Sequence, residues 1–194
     1  WVGNAYSEAI HRPMPRNAEQ RRAFGGAIGF IGDYEHDRMR LIESLARNGL
    51  SVRIWGPNWA THWRRPPANV RIEGRSLVGD EYAQAISNFD INLAFLRKAA
   101  HDEITTRSME IPACGGFMLA ERTAAHRAAF SEGVEAEFFS SGAELLEKCR
   151  FYLEQPQRAR AVGAAARARC LRDGYGNRAR IQHMLALVEH LSPN

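Results

Sequence analysis

The sequence predicts a three-layer α/β/α domain on a parallel sheet of about six strands, near the usual sheet size, with an extra helical C-terminus. Three observations carry this. Short apolar runs bounded by glycine, proline or polar residues alternate with segments of helical spacing between residues 25 and 139. Such alternation implies right-handed βαβ units, and so a parallel sheet covered on both faces. From residue 142 onward the pattern is wholly helical, broken only at Pro156 and Gly174.

Residues 1–24 read as an arm or interdomain linker. The run His11-Arg12-Pro13-Met14-Pro15 is expected to be extended, because residues before proline avoid the helical region. GGAIGFIG (25–32) is a first buried strand, and residues 36–48 place Met39, Leu41, Ile42, Leu45 and Ala46 at helical spacing. Gly49 caps that helix, and residues 51–55 form a second strand ended by Gly56-Pro57. Residues 58–68, rich in Trp, Arg and Pro, read as a loop. A third strand (69–72), a helix (80–88) with Tyr82, Ala85 and Ile86 on one face, and a fourth strand (90–95) follow. A polar loop (97–103) leads to a helix starting at Thr105. After it come a fifth strand (117–120), a short helix (123–130), a sixth strand (136–139) and helices over 143–154, 157–172 and 178–191. The expected domain spans 25–177, with a closing helix over 178–194.

Composition narrows the class. At 45% hydrophobic and 25% charged residues, 194 residues fit one ordinary globular domain plus a linker. No apolar run approaches the ~20 residues of a membrane span. The start, WVGNAYSEAIHRP, has no basic segment followed by an apolar block and no initiator Met, so a fragment or processed chain is expected. The net charge of +4 is spread rather than blocked, which speaks against nucleic acid, while the dominance of Arg over Lys mildly favours a small anionic ligand. Cys114, Cys149 and Cys170 are odd in number and far apart, giving neither a disulfide framework nor a zinc spacing; a reducing cytoplasm is expected. His62 and His101 have no ligand-spaced partners, so neither metal nor cofactor is expected. There is no GxSxG elbow, and the lack of GxGxxG after the first strand disfavours a nicotinamide-dependent oxidoreductase.

In open parallel sheets ligands sit at the carboxyl ends of the strands. The loops there are 32–35, 56–59, 74–79, 97–106 and 121–123. The central stretch is TTRSMEIPACGGFMLAE (105–121). A helix start favours phosphate; Thr105, Thr106 and Ser108 add hydroxyls, Arg107 a bidentate contact, and Glu110 an acceptor suited to a ribose diol. An ordinary capped helix with a surface Arg and Glu explains the same spacing equally well. At the first turn, Gly32 would admit a ligand to the backbone and Arg38 could reach a phosphate, or the pair is a strand-ending glycine and a solvated Arg. Trp55, Trp59 and Trp63 are read as packing their loop more readily than as stacking on a base. Asp102 and Glu103 are a loop acidic pair, solvated or capping by type, kept as candidates by their place before the helix.

The run RSMEIPACGGFMLAERTAAHRAAFSEGVEAEFFSSGAELLEKCRFYLEQPQRARAVG (107–163) resembles the C-terminal half of GT-B glycosyltransferases, and among them the spore-maturation-protein-like (CgeB-like) branch of group 1. That branch's Arg-x-x-Glu-x-x-Ala-x-Gly pattern is met by Arg107, Glu110, Ala113 and Gly115, and its later Phe-x-x-Gly by Phe130 and Gly133. Upstream, GFIGDYEHDRMRLIESLARNGLSVRIWGPNW and VRIEGRSLVGDEYAQAISNFDINLAFLR resemble the same family's preceding units. The resemblance implies a Rossmann-like domain and transfer of a hexose-like sugar from a UDP- or GDP-linked donor. By it Glu110 would hold the ribose, with Arg107 and Ser108 against the diphosphate. Gly32, Asp33, Arg38, Arg75, Gly115 and Gly116 complete the candidate donor set. Asp33 and Arg38 stand where many relatives carry an Arg and a Lys. Asp102, with Glu103 beside it, stands where retaining members carry an acid, and these two are the candidate catalytic residues. The family's His-Thr-Tyr near the last helices reads Arg172-Asp173-Gly174-Tyr175 here. The resemblance further implies that an N-terminal acceptor domain is missing, that residues 2–15 correspond to the linker, and that 186–194 cross back toward that domain. A non-catalytic nucleotide- or partner-binding module on the same fold is the alternative.

Overall fold

The computed structural model describes residues 3–191. Six strands, β1 (Gly26–Ile31), β2 (Val52–Trp55), β3 (Val70–Ile72), β4 (Phe89–Ala94), β5 (Met118–Glu121) and β6 (Glu137–Phe139), form one sheet in the order β3-β2-β1-β4-β5-β6. Every pairing is parallel, with Ile28 opposite both Val52 and Ile91 at the centre. The helices are α1 (Ala18–Phe24), α2 (His36–Arg47), α3 (Trp59–His62), α4 (Gly79–Asn88), α5 (Arg107–Ala113), α6 (Ala124–Ala129), α7 (Gly142–Glu154), α8 (Pro156–Arg172) and α9 (Asn177–Leu191). A 3-10 turn covers Lys98–Ala100.

Side chains alternate across a strand, so each strand feeds two cores. Ile28, Phe30, Ile54, Ile91, Leu93 and Leu119 pack beneath Ile42 and Leu45 of α2 and Leu145 and Tyr152 of α7. The opposite face sends Met118, Ala120 and Phe138 against Ala83 and Ile86 of α4 and Met109 and Ile111 of α5. This is the expected α/β/α layering. The three cysteine thiols are free and buried, and burial pushes each up to about 12. Among the described residues no helix is long and apolar enough to cross a membrane, and no group of three or more His, Cys, Asp or Glu is placed to hold a metal ion.

Three expectations need correction. Within the expected arm, where no helix is predicted, residues 18–24 are helical. α1 buries none of its residues, so it carries no apolar period. Apart from Phe24, which packs on Trp55, polar contacts hold it. Asn17 caps its start by accepting from the Gln20 amide, and Arg53 of β2 closes its end by donating to the carbonyls of Arg22, Ala23 and Gly25 at 2.6–3.1 Å. Arg53 is itself buried and paired with Glu73 at 2.6 Å. Its guanidinium takes the place of the solvent that a helix C-terminus needs. The second correction falls in the loop over 58–68, where α3 forms a single turn. Asn58 turns left-handed (φ 67°) and Trp59, fully buried, donates from Nε1 to the Gly32 carbonyl at 2.8 Å. One turn is too short to show a period. Third, α5 starts at Arg107, not Thr105, and is seven residues long with Pro112 inside.

The segment before α1 runs over α4. Pro15 O accepts from Gln84 and Asn88, the Met14 amide donates to Ser87, and Arg12 pairs with Asp80. Tyr6 exchanges main-chain bonds with Tyr175 and Asn177 at the start of α9. Residues 1–2 of the expected arm and 192–194 of the expected closing helix lie outside the described residues. Arg53→Ala leaves three carbonyls without their donor and Glu73 with its other partner alone, and is expected to cost about 2–3 kcal/mol in urea unfolding. Arg71→Ala, which removes an exposed partner of the same Glu73, should cost less than about 1 kcal/mol.

Candidate functional site

At the carboxyl ends of β1, β2 and β3 a cleft of ≈ 480 Å³ opens toward α4 and α5. It lies beside β1, next to the β1/β4 boundary where the strand order reverses, the usual ligand position in such sheets. Gly32 and Asp33 form its floor at the end of β1, Gly56 and Pro57 at the end of β2, and Ser76–Gly79 the loop after β3. Tyr82, Thr106, Arg107 and Glu110 make one wall, and Ile10 and His11 close it from the N-terminal segment.

Two glycines set the floor. The Gly32 amide donates to Trp55 O at 2.8 Å. A Cβ on Gly56, whose φ is +145°, would stand 2.1 Å from the Gly32 carbonyl oxygen. A Cβ on Gly32 would stand 3.1 Å from an Arg107 Nη. The guanidinium therefore reaches the β1 turn because no side chain blocks it. It lies over the Phe30 ring at 5.7 Å, and among the described residues no carboxylate pairs with it. Since α5 has only seven residues, its dipole is a weak anion attractor and the Arg107 side chain is the wall's main positive charge.

One turn further along α5 stands Glu110. Tyr82 donates its hydroxyl to Oε2 at 2.5 Å, and His11 Nε2 faces Oε1 at 3.7 Å. Burial, with the Glu110 charge beside it, holds the Tyr82 phenol well above its ordinary value, so it stays a donor. Burial lowers the His11 pKa against the opposing pull of Glu110. The carboxylate is thus fixed at one oxygen and open at the other.

Of the residues expected from sequence, Gly32, Asp33, Arg107 and Glu110 come together here. The others stand elsewhere. Arg38 is buried behind the floor, donating to Asp33 O and Leu96 O and pairing with Glu35 at 3.1 Å. Burial lowers its pKa, Glu35 opposes, and Arg107 and Arg97 push it down further. Arg75 is clamped on Glu81 and laid over Trp55 at 4.9 Å. Ser108 is fully buried, 2.8 Å from His126 Nε2. Since His126 Nδ1 donates to Glu121 O, Nε2 accepts from the serine. Gly115 and Gly116 follow the far end of α5, against Pro13 and Arg167 and against Asn92 and Ile86 respectively. Asp102 and Glu103 lie on the β4–α5 loop outside the cleft lining, and the Glu103 carbonyl accepts from Thr123. Sequence reasoning missed Tyr82 and His11 as site residues. The one was read as an apolar helix position, and nothing in the local sequence ties the other to Glu110.

Residues 38–186 match the family model described as glycosyl transferase-like. The chain belongs to that family. No curated protein matches it significantly. Among solved structures, sucrose-phosphate synthase from Thermosynechococcus elongatus superposes with a TM-score of 0.76 at 12% identity, over 98% of this chain and 52% of that one. HepE of Anabaena, in complex with UDP-glucose, gives 0.74 at 13%, over 97% and 57%. The C-terminal domain of the group 1 glycosyl transferase LpcC from Francisella tularensis gives 0.63 at 8%, over 86% and 96%. The glycosyl transferase-like chain therefore spans about half the length of the first two. Its fold is that of the second, Rossmann-like half of a GT-B enzyme.

Buried His126 and half-buried His11 bear on stability. Burial places the His126 and His11 pKa values below the ordinary histidine value. A folded value below the unfolded one leaves stability full above about pH 6.5 and erodes it as pH falls below that, because the unfolded chain binds the proton first. The urea midpoint is expected to drop between about pH 7.5 and about pH 5.5. In His126→Asn the drop should be smaller, although that variant is weaker at neutral pH. An unchanged slope would remove His126 as its cause.

Proposed function

We propose that this domain is the donor-binding half of a glycosyltransferase, of the CgeB-like branch, and holds a UDP- or GDP-linked sugar in the cleft. One observation carries the reading. An Arg107 guanidinium with no carboxylate partner among the described residues and a Glu110 carboxylate whose Oε1 is faced only by His11 at 3.7 Å stand one helical turn apart on the same wall of a strand-end cleft. A nucleoside diphosphate needs that pair, a cation for its phosphates and an acceptor for its ribose hydroxyls. The charges of Arg97 and Arg107 are close enough to Arg38 to oppose its own, which adds to the positive field behind the β1 turn. The structural neighbour HepE is named with UDP-glucose bound, which supports the same reading.

In this reading Glu110 takes the ribose, and Arg107 and the Gly32 backbone take the diphosphate. Arg38 contributes through its field from behind the turn, and Ser108, Gly115 and Gly116 shape α5. Arg75 frames the rim. The transferred sugar extends beyond the cleft lining toward Asp102 and Glu103 on the β4–α5 loop. The anomeric C–O bond to the diphosphate breaks and one to an acceptor oxygen forms. The acceptor proton goes to a base outside this domain. Arg107 offsets the charge growing on the leaving diphosphate. A preceding domain supplies the acceptor, with the segment over 1–24 as linker and α9, which exposes Ile181 and Leu185, crossing toward it. The buried free thiols fit a cytoplasmic setting.

One observation favours a second reading. Asp33 lines the cleft, and a carboxylate there opposes the charge that grows on a leaving diphosphate, which favours a nucleotide-binding module that performs no transfer. Release of UDP or GDP from the matching sugar nucleotide by the full-length protein separates the two. Calorimetric titration with UDP, GDP and their sugars tests binding itself. One base should bind, with Arg107→Ala and Glu110→Ala each weakening it by about 10–100-fold, the size of a lost charge-assisted hydrogen bond. Arg75→Ala should change it less than about twofold. No heat with any nucleotide would sink both readings.

A further inference from the structure

His11 stands in the cleft for a reason the family pattern does not supply. It comes from the segment before α1 and is held at both ends. Its amide donates to Ser7 O at 2.8 Å, and its Nδ1 accepts from the Ser7 amide at 3.0 Å. A ring nitrogen that accepts an N–H carries no proton, so in the neutral ring the proton sits on Nε2. The ring meets Tyr82 edge-on at 5.6 Å, and the neighbouring Arg12 ties the turn down through Ala9 O and Asp80. Nε2–H is therefore a held donor that stands beside a held acceptor, Glu110 Oε1.

Their separation is informative. At 3.7 Å the two are too far apart for a good direct hydrogen bond, yet near enough for one oxygen atom to touch both. Glu110 Oε2 is already taken by Tyr82. What remains is a slot with one donor and one acceptor, the complement of a hydroxyl, which accepts and donates at once. A hydrogen in its place would leave both groups unpaired in a half-buried wall.

We propose that His11 and Glu110 together read one ribose hydroxyl of the bound nucleotide, so that the N-terminal segment confers selectivity for ribo- over deoxyribonucleotides. This rests on the donor-site reading above and adds to it a specificity residue. Sites built to bond a hydroxyl reject analogues lacking it far more strongly than apolar pockets reject a missing methylene.

The test titrates UDP and GDP, with their 2′-deoxy and 3′-deoxy forms, into the full chain and its His11→Ala and His11→Gln variants. The wild type should prefer the ribonucleotide over one deoxy form by about 30-fold or more. His11→Ala should shrink that ratio by about tenfold, through weaker ribonucleotide binding with the deoxy form nearly unchanged. His11→Gln, whose amide N–H can reach the place of Nε2–H, should recover part of the ratio. It carries the comparison should His11→Ala lower the melting temperature. Equal weakening of all nucleotides, or an unchanged ratio, would overturn the role of His11 while leaving the donor site standing. No binding of any nucleotide to the wild type would overturn both.

Discussion

The site depends on how closely the ends of β1 and β2 approach. Gly32 donates to Trp55 O, Gly56 has no room for a Cβ against Gly32 O, and Trp59 closes the contact from the far side by donating to that same carbonyl. With no side chain at either glycine, the strand ends leave a shallow floor into which Arg107 reaches. A methyl group at Gly56 would need both a strained backbone and a parted β1–β2 turn. The cation of the cleft is thus positioned by the bareness of two glycines.

Buried arginines brace the frame around that floor. Arg38 ties the β1 turn to the end of β4 through Asp33 O and Leu96 O. Arg53 ties the end of α1 to β2. Both use their donors on main-chain carbonyls, an arrangement suited to the five-donor guanidinium fork. Arg75 is held by Glu81, and Arg122 by Glu132 and Glu144. Arg107 lacks such a partner among the described residues, which sets it apart from cations whose charge is already answered. Next to it Glu110 is steadied by a phenol on one oxygen and faced by an imidazole on the other. Neither group competes for the whole carboxylate.

The strands were legible because their apolar runs stop at glycine, proline or polar residues, and the sheet followed from their alternation with helices. α1 and α3 were not. The first is held by Arg53 and Trp55, which lie on β2, and the second by a single buried tryptophan. The three-residue spacing of Arg107 and Glu110 suffices to put both on one face of a helix. What the sequence could not separate was a phosphate-binding Arg or Ser from a bracing one, since the residue types are the same. Burial decides between them, and burial is a property of the assembled sheet. Ser108 points to His126 and Arg38 to carbonyls for that reason. Tyr82 and His11 were invisible as site residues because their partner, Glu110, is brought to them only by α4 and the N-terminal segment crossing the mouth of the cleft.

The proposed donor site places a nucleoside diphosphate in the carboxyl-end cleft and on no other part of the surface. A second cleft lies at the opposite end of the sheet, lined by Arg21, Arg22, Arg53 and Arg71, and offers a stringent internal comparison. Amide chemical-shift mapping by NMR during titration with UDP and GDP measures the two together. Saturable shifts are expected at Gly32, Asp33, Gly56, Ser76, Gly79, Arg107 and Glu110, with Arg22, Gly26 and Arg71 unmoved. Shifts gathered at the arginine-lined end, or spread without saturation, would contradict the assignment.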